Sequence, residues 1–102
     1  MEDYKKEFEG KRVLVTGGAG SIGREIVRQV LELKPAVIRV LDINETALFE
    51  LEQELLEHEG RVTFLIGDVR DKSRMVRAME NIDIVFHAAA LKHVHLCEYN
   101  PF

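Results

Sequence analysis

With 102 residues, 46% of them hydrophobic, the chain is long enough to bury a core, and a net charge of −4 with acids and bases interspersed offers no basic surface to nucleic acid. No apolar run approaches the roughly 20 residues that a membrane-spanning helix needs, and the charged stretch over residues 1–9 does not read as a signal peptide. Cys97 is the single cysteine, which excludes an internal disulfide and fits a reducing cytoplasm.

In chain order, residues 2–9 are polar with Tyr4 and Phe8 four apart, the spacing of a short helix with one apolar stripe. Arg12–Thr16 is a short, nearly all-apolar run that ends at glycines, as in a strand buried on both faces. From Ser21 the period becomes helical. Ile22, Ile26, Val27, Val30 and Leu31 fall on one face, opposite Arg24, Glu25, Arg28 and Glu32, and Pro35 blocks continuation. Val37–Asp42 is a second buried strand, rich in β-branched residues.

Asn44 is placed to cap a helix over Glu45–His58 that buries Ala47, Leu48, Leu51 and Leu55 and stops at Gly60. Arg61–Ile66 reads as the third strand. Asp71 or Ser73 caps a further helix through about Glu80, with Met75, Val76 and Met79 expected inside, and Ile82–His87 is the fourth strand. Residues 88–102 read as a loop, with Asn100-Pro101 suited to starting another helix.

The alternation β-α-β-α-β-α-β predicts an α/β fold, a Rossmann-type parallel sheet with helices on both faces. Right-handed crossovers give the strand order 3-2-1-4, so the fourth strand is an outer one. An uncovered edge invites association. Residues 1–102 are therefore expected to form one partial dinucleotide-binding domain, either a fragment or a chain that pairs there, as in a homo-oligomer.

Thr16–Gly23, TGGAGSIG, joins the first strand to the first helix. Gly17, Gly20 and Gly23 give a G-x-x-G-x-x-G spacing, and Gly18, Gly20 and Gly23 also fit G-x-G-x-x-G. Glycine is needed there for a tight turn, for an unhindered approach of backbone to phosphate, and for close helix–strand packing. The helix mouth at Ser21, Ile22 and Gly23 offers N–H groups and partial positive charge to an anion. A glycine pattern alone is weak, but here a strand precedes it, a helix follows it, and an acid ends the next strand.

That acid is Asp42, about 20 residues beyond the loop, where a carboxylate accepts both ribose hydroxyls of an adenosine and repels a 2′-phosphate. Ile43 and Asn44 bring no positive charge, so NAD is expected ahead of NADP, although Arg39 and Arg61 are not far off in sequence. Asp68 and Val69 follow the third strand; Asp68 either accepts from an adenine amino group, with Val69 on the ring, or forms an Asx turn into the next helix. Asp71 reads as a helix cap and Asp83 as a turn residue.

After the fourth strand, the small Ala88 and Ala89 let backbone lie against ribose and pyrophosphate, and Lys92 either reaches a phosphate or ribose hydroxyl or stays solvated. His93, His95 and Cys97 alternate near His87, a spacing that raises a metal site, but no fourth ligand is convincingly placed. No partner activates Cys97 as a nucleophile. His58 reads as a solvated helix-end residue.

TGGAGSIG, Leu41-Asp42 at a strand end, GDVRD at residues 67–71 and HAAALKHV at 87–94 resemble the extended short-chain dehydrogenase/reductase superfamily. LDINETALFELEQEL, ALKHV and the terminal EYNPF resemble its polysaccharide-biosynthesis group of nucleotide-sugar 4,6-dehydratases. The resemblance runs from about residue 10 to the end. It implies an NAD cofactor and a UDP-sugar substrate, UDP-N-acetylglucosamine, converted to a 4-keto-6-deoxy sugar. Hydride leaves C4, water is lost across C5–C6, and hydride returns to C6.

Gly17, Gly20, Ile22, Asp42, Asp68, Val69, Ala88, Ala89 and Lys92 match that family's cofactor positions. The family's Tyr-x-x-x-Lys pair has no counterpart here: neither Tyr4 nor Tyr99 is followed by a lysine four residues on. The chain is thus expected to be a cofactor-binding portion that does not turn over substrate alone. His95 stands where the family has proline. A nucleotide-sugar epimerase of the same superfamily and a non-catalytic NAD-sensing module are the alternatives.

Overall fold

The computed structural model describes residues 6–88. They form β1 (Arg12–Thr16), α1 (Ser21–Leu31), β2 (Val37–Asp42), α2 (Glu45–Glu54), a 3-10 turn (Leu56–His58), β3 (Val62–Ile66), α3 (Lys72–Ala78) and β4 (Ile84–His87). All three strand pairings are parallel, and the order is β3-β2-β1-β4, as the alternation of elements predicts. The chain therefore crosses back past β1 between β3 and β4, which opens a crevice at the carboxyl ends of the central strands.

The sheet is buried on both faces. Successive residues of a strand point to opposite sides, and β1 divides its apolar residues accordingly. Val13 and Val15 join Ile38, Val40, Val27, Val30, Leu48 and Leu51 on the side covered by α1 and α2. Leu14 joins Leu41, Val85 and Ala78 on the side covered by α3. Phe8, beside this first cluster, stacks on Phe86 of β4 at 5.9 Å. Residues 6–8 are helical, so the expected N-terminal turn exists there, while Tyr4 lies outside the described residues.

Several boundaries differ from expectation, most of them for a local reason. The helix predicted over 45–58 breaks at Leu55, and Leu56–His58 continue as a 3-10 turn. The last turn of α2 has no basic residue and ends among acids, which oppose the partial negative charge of a helix C-terminus. β3 starts at Val62 rather than Arg61. α3 ends at Ala78 rather than Glu80, since Met79 caps it and Asn81 turns at φ +61. β4 starts at Ile84 because the Ile82 N–H bonds to the Met79 carbonyl.

Asp83 then closes a reciprocal pair with Arg12: its N–H donates to the Arg12 carbonyl at 2.8 Å and its Oδ2 accepts the Arg12 N–H at 2.9 Å.

Val76 and Met79, expected inside, are exposed, because α3 meets the sheet through Met75 and Ala78 instead. Ile22, expected on the buried face of α1, is exposed too. Asp71 rather than Ser73 caps α3: its Oδ1 accepts the Arg74 N–H, and the Ser73 hydroxyl donates to the same oxygen. Asn44 caps α2 through the Ala47 N–H at 3.0 Å, as read from sequence. His58 is half-buried at the end of the 3-10 turn.

Candidate functional site

A cleft of about 380 Å³ opens at the carboxyl ends of β1, β2 and β3. Gly17, Gly20, Ser21, Ile22, Gly23, Asp42, Asp68, Val69 and Ala88 all line it, from four separate stretches of chain. Ala89 and Lys92, with His93, His95 and Cys97, lie outside the described residues.

The glycines of the loop have three different reasons to be glycine. Gly17 turns the chain off β1 at φ +67, a conformation that side chains disfavour. A Cβ on Gly23 would overlap the Gly17 carbonyl oxygen and sit 2.5 Å from the Gly18 Cα, so its bare Cα lets α1 pack on the loop. Gly20 is unlike both. Its φ is −75°, and a Cβ there would meet only the Gly17 oxygen at an ordinary 3.5 Å. No neighbour among the described residues demands glycine at position 20, which lines the cleft.

Gly20 is also the N-cap of α1 and supplies no side chain to the first turn. The N–H groups of Ser21, Ile22 and Gly23 find no acceptor among the described residues. The first turn carries no acid. This helix mouth therefore keeps its unpaired donors and partial positive charge for an anion in the cleft.

Asp42, half-buried at the end of β2, faces the loop. Its Oδ2 accepts the Ala19 N–H at 3.0 Å and its Oδ1 the Asn44 N–H at 2.9 Å. Each carboxylate oxygen retains a further lone pair, so the residue ties β2 to the loop and still has acceptor capacity toward hydroxyls.

Asp68 forms the Asx turn that its sequence allowed: its Oδ1 accepts the Arg70 N–H at 2.9 Å. The Arg70 guanidinium also binds it, at 2.7 Å to Oδ2. Side-chain hydrogen bonds from Arg70, then its backbone N–H, pull the Asp68 carboxyl down to about 2. Val69 beside it is exposed to the cleft.

On the other side of β1, buried Thr16 places its Oγ1 3.0 Å from the His87 Nδ1 and donates to the Phe86 carbonyl at 3.4 Å. Burial lowers the His87 pKa from its ordinary 6.5, because desolvation disfavours the charged ring.

Sequence reasoning missed Arg24. It follows the last loop glycine and reads as one more charge on the polar face of α1, yet its Nε donates to the Ala19 carbonyl at 2.9 Å. It also missed Ala47 as cleft wall; Ile43 and Asn44, read from sequence only for the positive charge they lack, line the cleft as well.

Among the described residues no group of acidic, histidine or cysteine side chains is arranged for a metal ion, and no helix is long and apolar enough to cross a membrane.

Residues 13–102 match the family described as polysaccharide biosynthesis protein. Across its whole length the chain is 61% identical to an uncharacterized membrane protein of Methanocaldococcus jannaschii, of which it covers 30%. It is 43% identical, over 92% of its length, to a UDP-N-acetylglucosamine 4,6-dehydratase (inverting) of Campylobacter jejuni, of which it covers 28%. The chain thus spans about 30% of the length of the curated relatives it matches. In three dimensions it resembles the Bordetella bronchiseptica enzyme WbmF, solved in complex with NAD+ and UDP. The TM-score is 0.61 at 27% identity, over 79% of this chain and 23% of that one.

Proposed function

The chain belongs to the polysaccharide biosynthesis protein family, and on that premise we propose that it is the NAD-binding portion of a nucleotide-sugar 4,6-dehydratase acting on UDP-N-acetylglucosamine. The observation that carries the cofactor reading is the mouth of α1: three N–H groups without an acceptor among the described residues, next to a glycine for which no described neighbour calls.

In this reading the diphosphate lies on the Ser21, Ile22 and Gly23 amides, with Gly17 and Gly20 leaving room for it. The remaining lone pairs of Asp42 take the adenosine ribose hydroxyls. Asp68 and Val69 flank the adenine, and Ala88, Ala89 and Lys92 bound the ribose and phosphates. NAD is favoured over NADP because a 2′-phosphate would meet the Asp42 carboxylate, with no cation at Ile43 or Asn44 to offset it. When bound, the nicotinamide supplies a reversible hydride acceptor. The work of these residues is to bind and orient it.

The substrate reading is supported by the identity to a dehydratase of that specificity and by the UDP held by a structural relative.

Calorimetric titration should give heat with NAD and with ADP-ribose, and weaker binding with NADP. Absence of heat with all three overturns the cofactor reading. Assay of the complete gene product with UDP-N-acetylglucosamine should yield a 4-keto-6-deoxy sugar. C4 epimerisation without loss of water would overturn the dehydratase reading and leave the cofactor reading standing.

A further inference from the structure

The glycine loop at the cleft is fastened by side chains from β2 and α1. Ala19 sits at the crest of the glycine loop, and both its polar groups are fastened by side chains from elsewhere. Its N–H goes to Asp42 Oδ2 at 3.0 Å and its carbonyl to Arg24 Nε at 2.9 Å. Arg24 is only 20% exposed and is itself braced by α2. Its Nη1 binds Glu54 Oε2 at 2.6 Å, and its Nη2 lies 3.4 Å from the Ala47 carbonyl and 3.5 Å from Glu50 Oε1.

We infer that Arg24 is a positioning residue for the diphosphate: by clamping the Ala19 carbonyl it keeps that oxygen turned away from the anion and the α1 amides aimed at it. The inference rests on the cofactor reading above. Its physical basis is the freedom of the next residue. Gly20 carries no side chain, a Cβ there would meet nothing tighter than the Gly17 oxygen at 3.5 Å, and among the described residues its N–H is held by the Gly17 carbonyl alone, at 3.2 Å. The Ala19–Gly20 peptide can therefore rotate at small steric cost. Rotated, it would present a carbonyl dipole to a doubly charged ligand beside the α1 amides that bind it. Arg24 opposes that rotation with a charged, directional hydrogen bond, the kind of support that makes a binding loop preorganised rather than ordered by its ligand.

Arg28 separates this role from simple helix-to-helix bracing. It shares Glu54, through Nη2 to Oε1 at 2.7 Å, and has no hydrogen bond to the loop. Arg24→Met removes the clamp, whereas Arg28→Met removes a brace of the same charge and partner. Arg24→Lys keeps a cation for Glu54 without the fork that serves Glu54 and Ala19 together, which guards against loss of the fold in the Met variant.

Titration of wild type and variants with ADP-ribose and with adenosine is the test. The affinity for ADP-ribose is expected to fall about ten-fold in Arg24→Met and in the same direction in Arg24→Lys, the size of one charged hydrogen bond. Adenosine affinity should be unchanged in both, and Arg28→Met should bind both ligands as wild type does. Equal losses in the Arg24 and Arg28 variants, equal losses for the two ligands, or no loss at all would overturn the clamp. Should wild type bind no ADP-ribose, the cofactor reading fails by itself, and amide exchange then judges the clamp. A faster Gly20 N–H in Arg24→Met but not in Arg28→Met upholds it; an unchanged rate refutes it.

Discussion

The Ala19 N–H and the Asp42 carboxylate, 23 residues apart in sequence, meet at 3.0 Å across the floor of the cleft. An acid that would otherwise be read only as a ribose acceptor is thus also the peg on which the glycine loop hangs from β2.

This double duty shapes what Asp42→Ala should do. Loss of the peg weakens every ligand that uses the loop, while loss of the carboxylate removes what we propose to be the ribose acceptor and the repulsion of a 2′-phosphate. NAD and NADP affinities are both expected to fall, and the NAD-to-NADP ratio to drop by about ten-fold, the size of one hydrogen bond to a charged group. Titrations with both dinucleotides check this. A large loss with an unchanged ratio would leave Asp42 as a peg alone.

The glycines offer a cleaner separation of fold from binding. Gly20→Ala meets no protein atom closer than 3.5 Å and should cost at most about 1 kcal/mol, from a poorer helix cap. In the proposed cofactor reading the added methyl nonetheless enters the diphosphate position and should abolish dinucleotide binding. Gly23→Ala drives a methyl into the loop backbone and should cost about 1–3 kcal/mol of stability. Denaturant unfolding paired with titration would separate the two, and a Gly20→Ala protein that binds as wild type does would contradict the anion position.

Arg39 of β2 donates to the Ala78 carbonyl at 2.6 Å and to the Glu80 carbonyl at 3.1 Å, closing the C-terminus of α3. Arg39→Met preserves the aliphatic stem and removes the cap, and should cost about 1–2 kcal/mol in urea unfolding. An unchanged midpoint would mean that solvent serves those carbonyls equally well.

What the sequence disclosed and what it hid follow from how local each feature is. β1 and β2 are short apolar runs between glycines or turns, and a chain that alternates such runs with amphipathic helices has few ways to fold. The strand order was accordingly legible from pattern alone. So were the cleft residues of the glycine loop and of the β2 and β3 ends, Gly17, Gly20 to Gly23, Asp42, Asp68 and Val69, because the motif and the strand ends place them by backbone topology.

The hidden features depend on tertiary partners. Val76 falls in register with Met75 and Met79, but a seven-residue α3 touches the sheet along one narrow line, through Met75 and Ala78. The pairing of Arg24 with Ala19 needs α1, the loop and α2 to be in place together. The choice of Asp68 for Arg70 is settled by an Asx turn that spacing permits without requiring.

His87 carries a pH dependence whose sign follows from its burial. The ring lies against Thr16 Oγ1 at 3.0 Å, and desolvation lowers its pKa from the usual 6.5. Between the folded pKa and 6.5 the unfolded chain binds more protons than the folded one, so stability rises with pH across that window and is level above it. Acidification from pH 7.5 should therefore reduce stability as it passes 6.5, before the carboxylates titrate, and the loss should be complete once the folded ring is itself protonated. Asp68, held at about 2, adds a separate loss only as pH falls from the ordinary carboxylate range toward that value. His87→Asn leaves a polar group near the Thr16 hydroxyl and no titration in the upper window. Urea midpoints measured at intervals from pH 7.5 to 5 should slope for wild type and stay flat for the variant. Parallel slopes in the two proteins would place the proton elsewhere and remove His87 from the account.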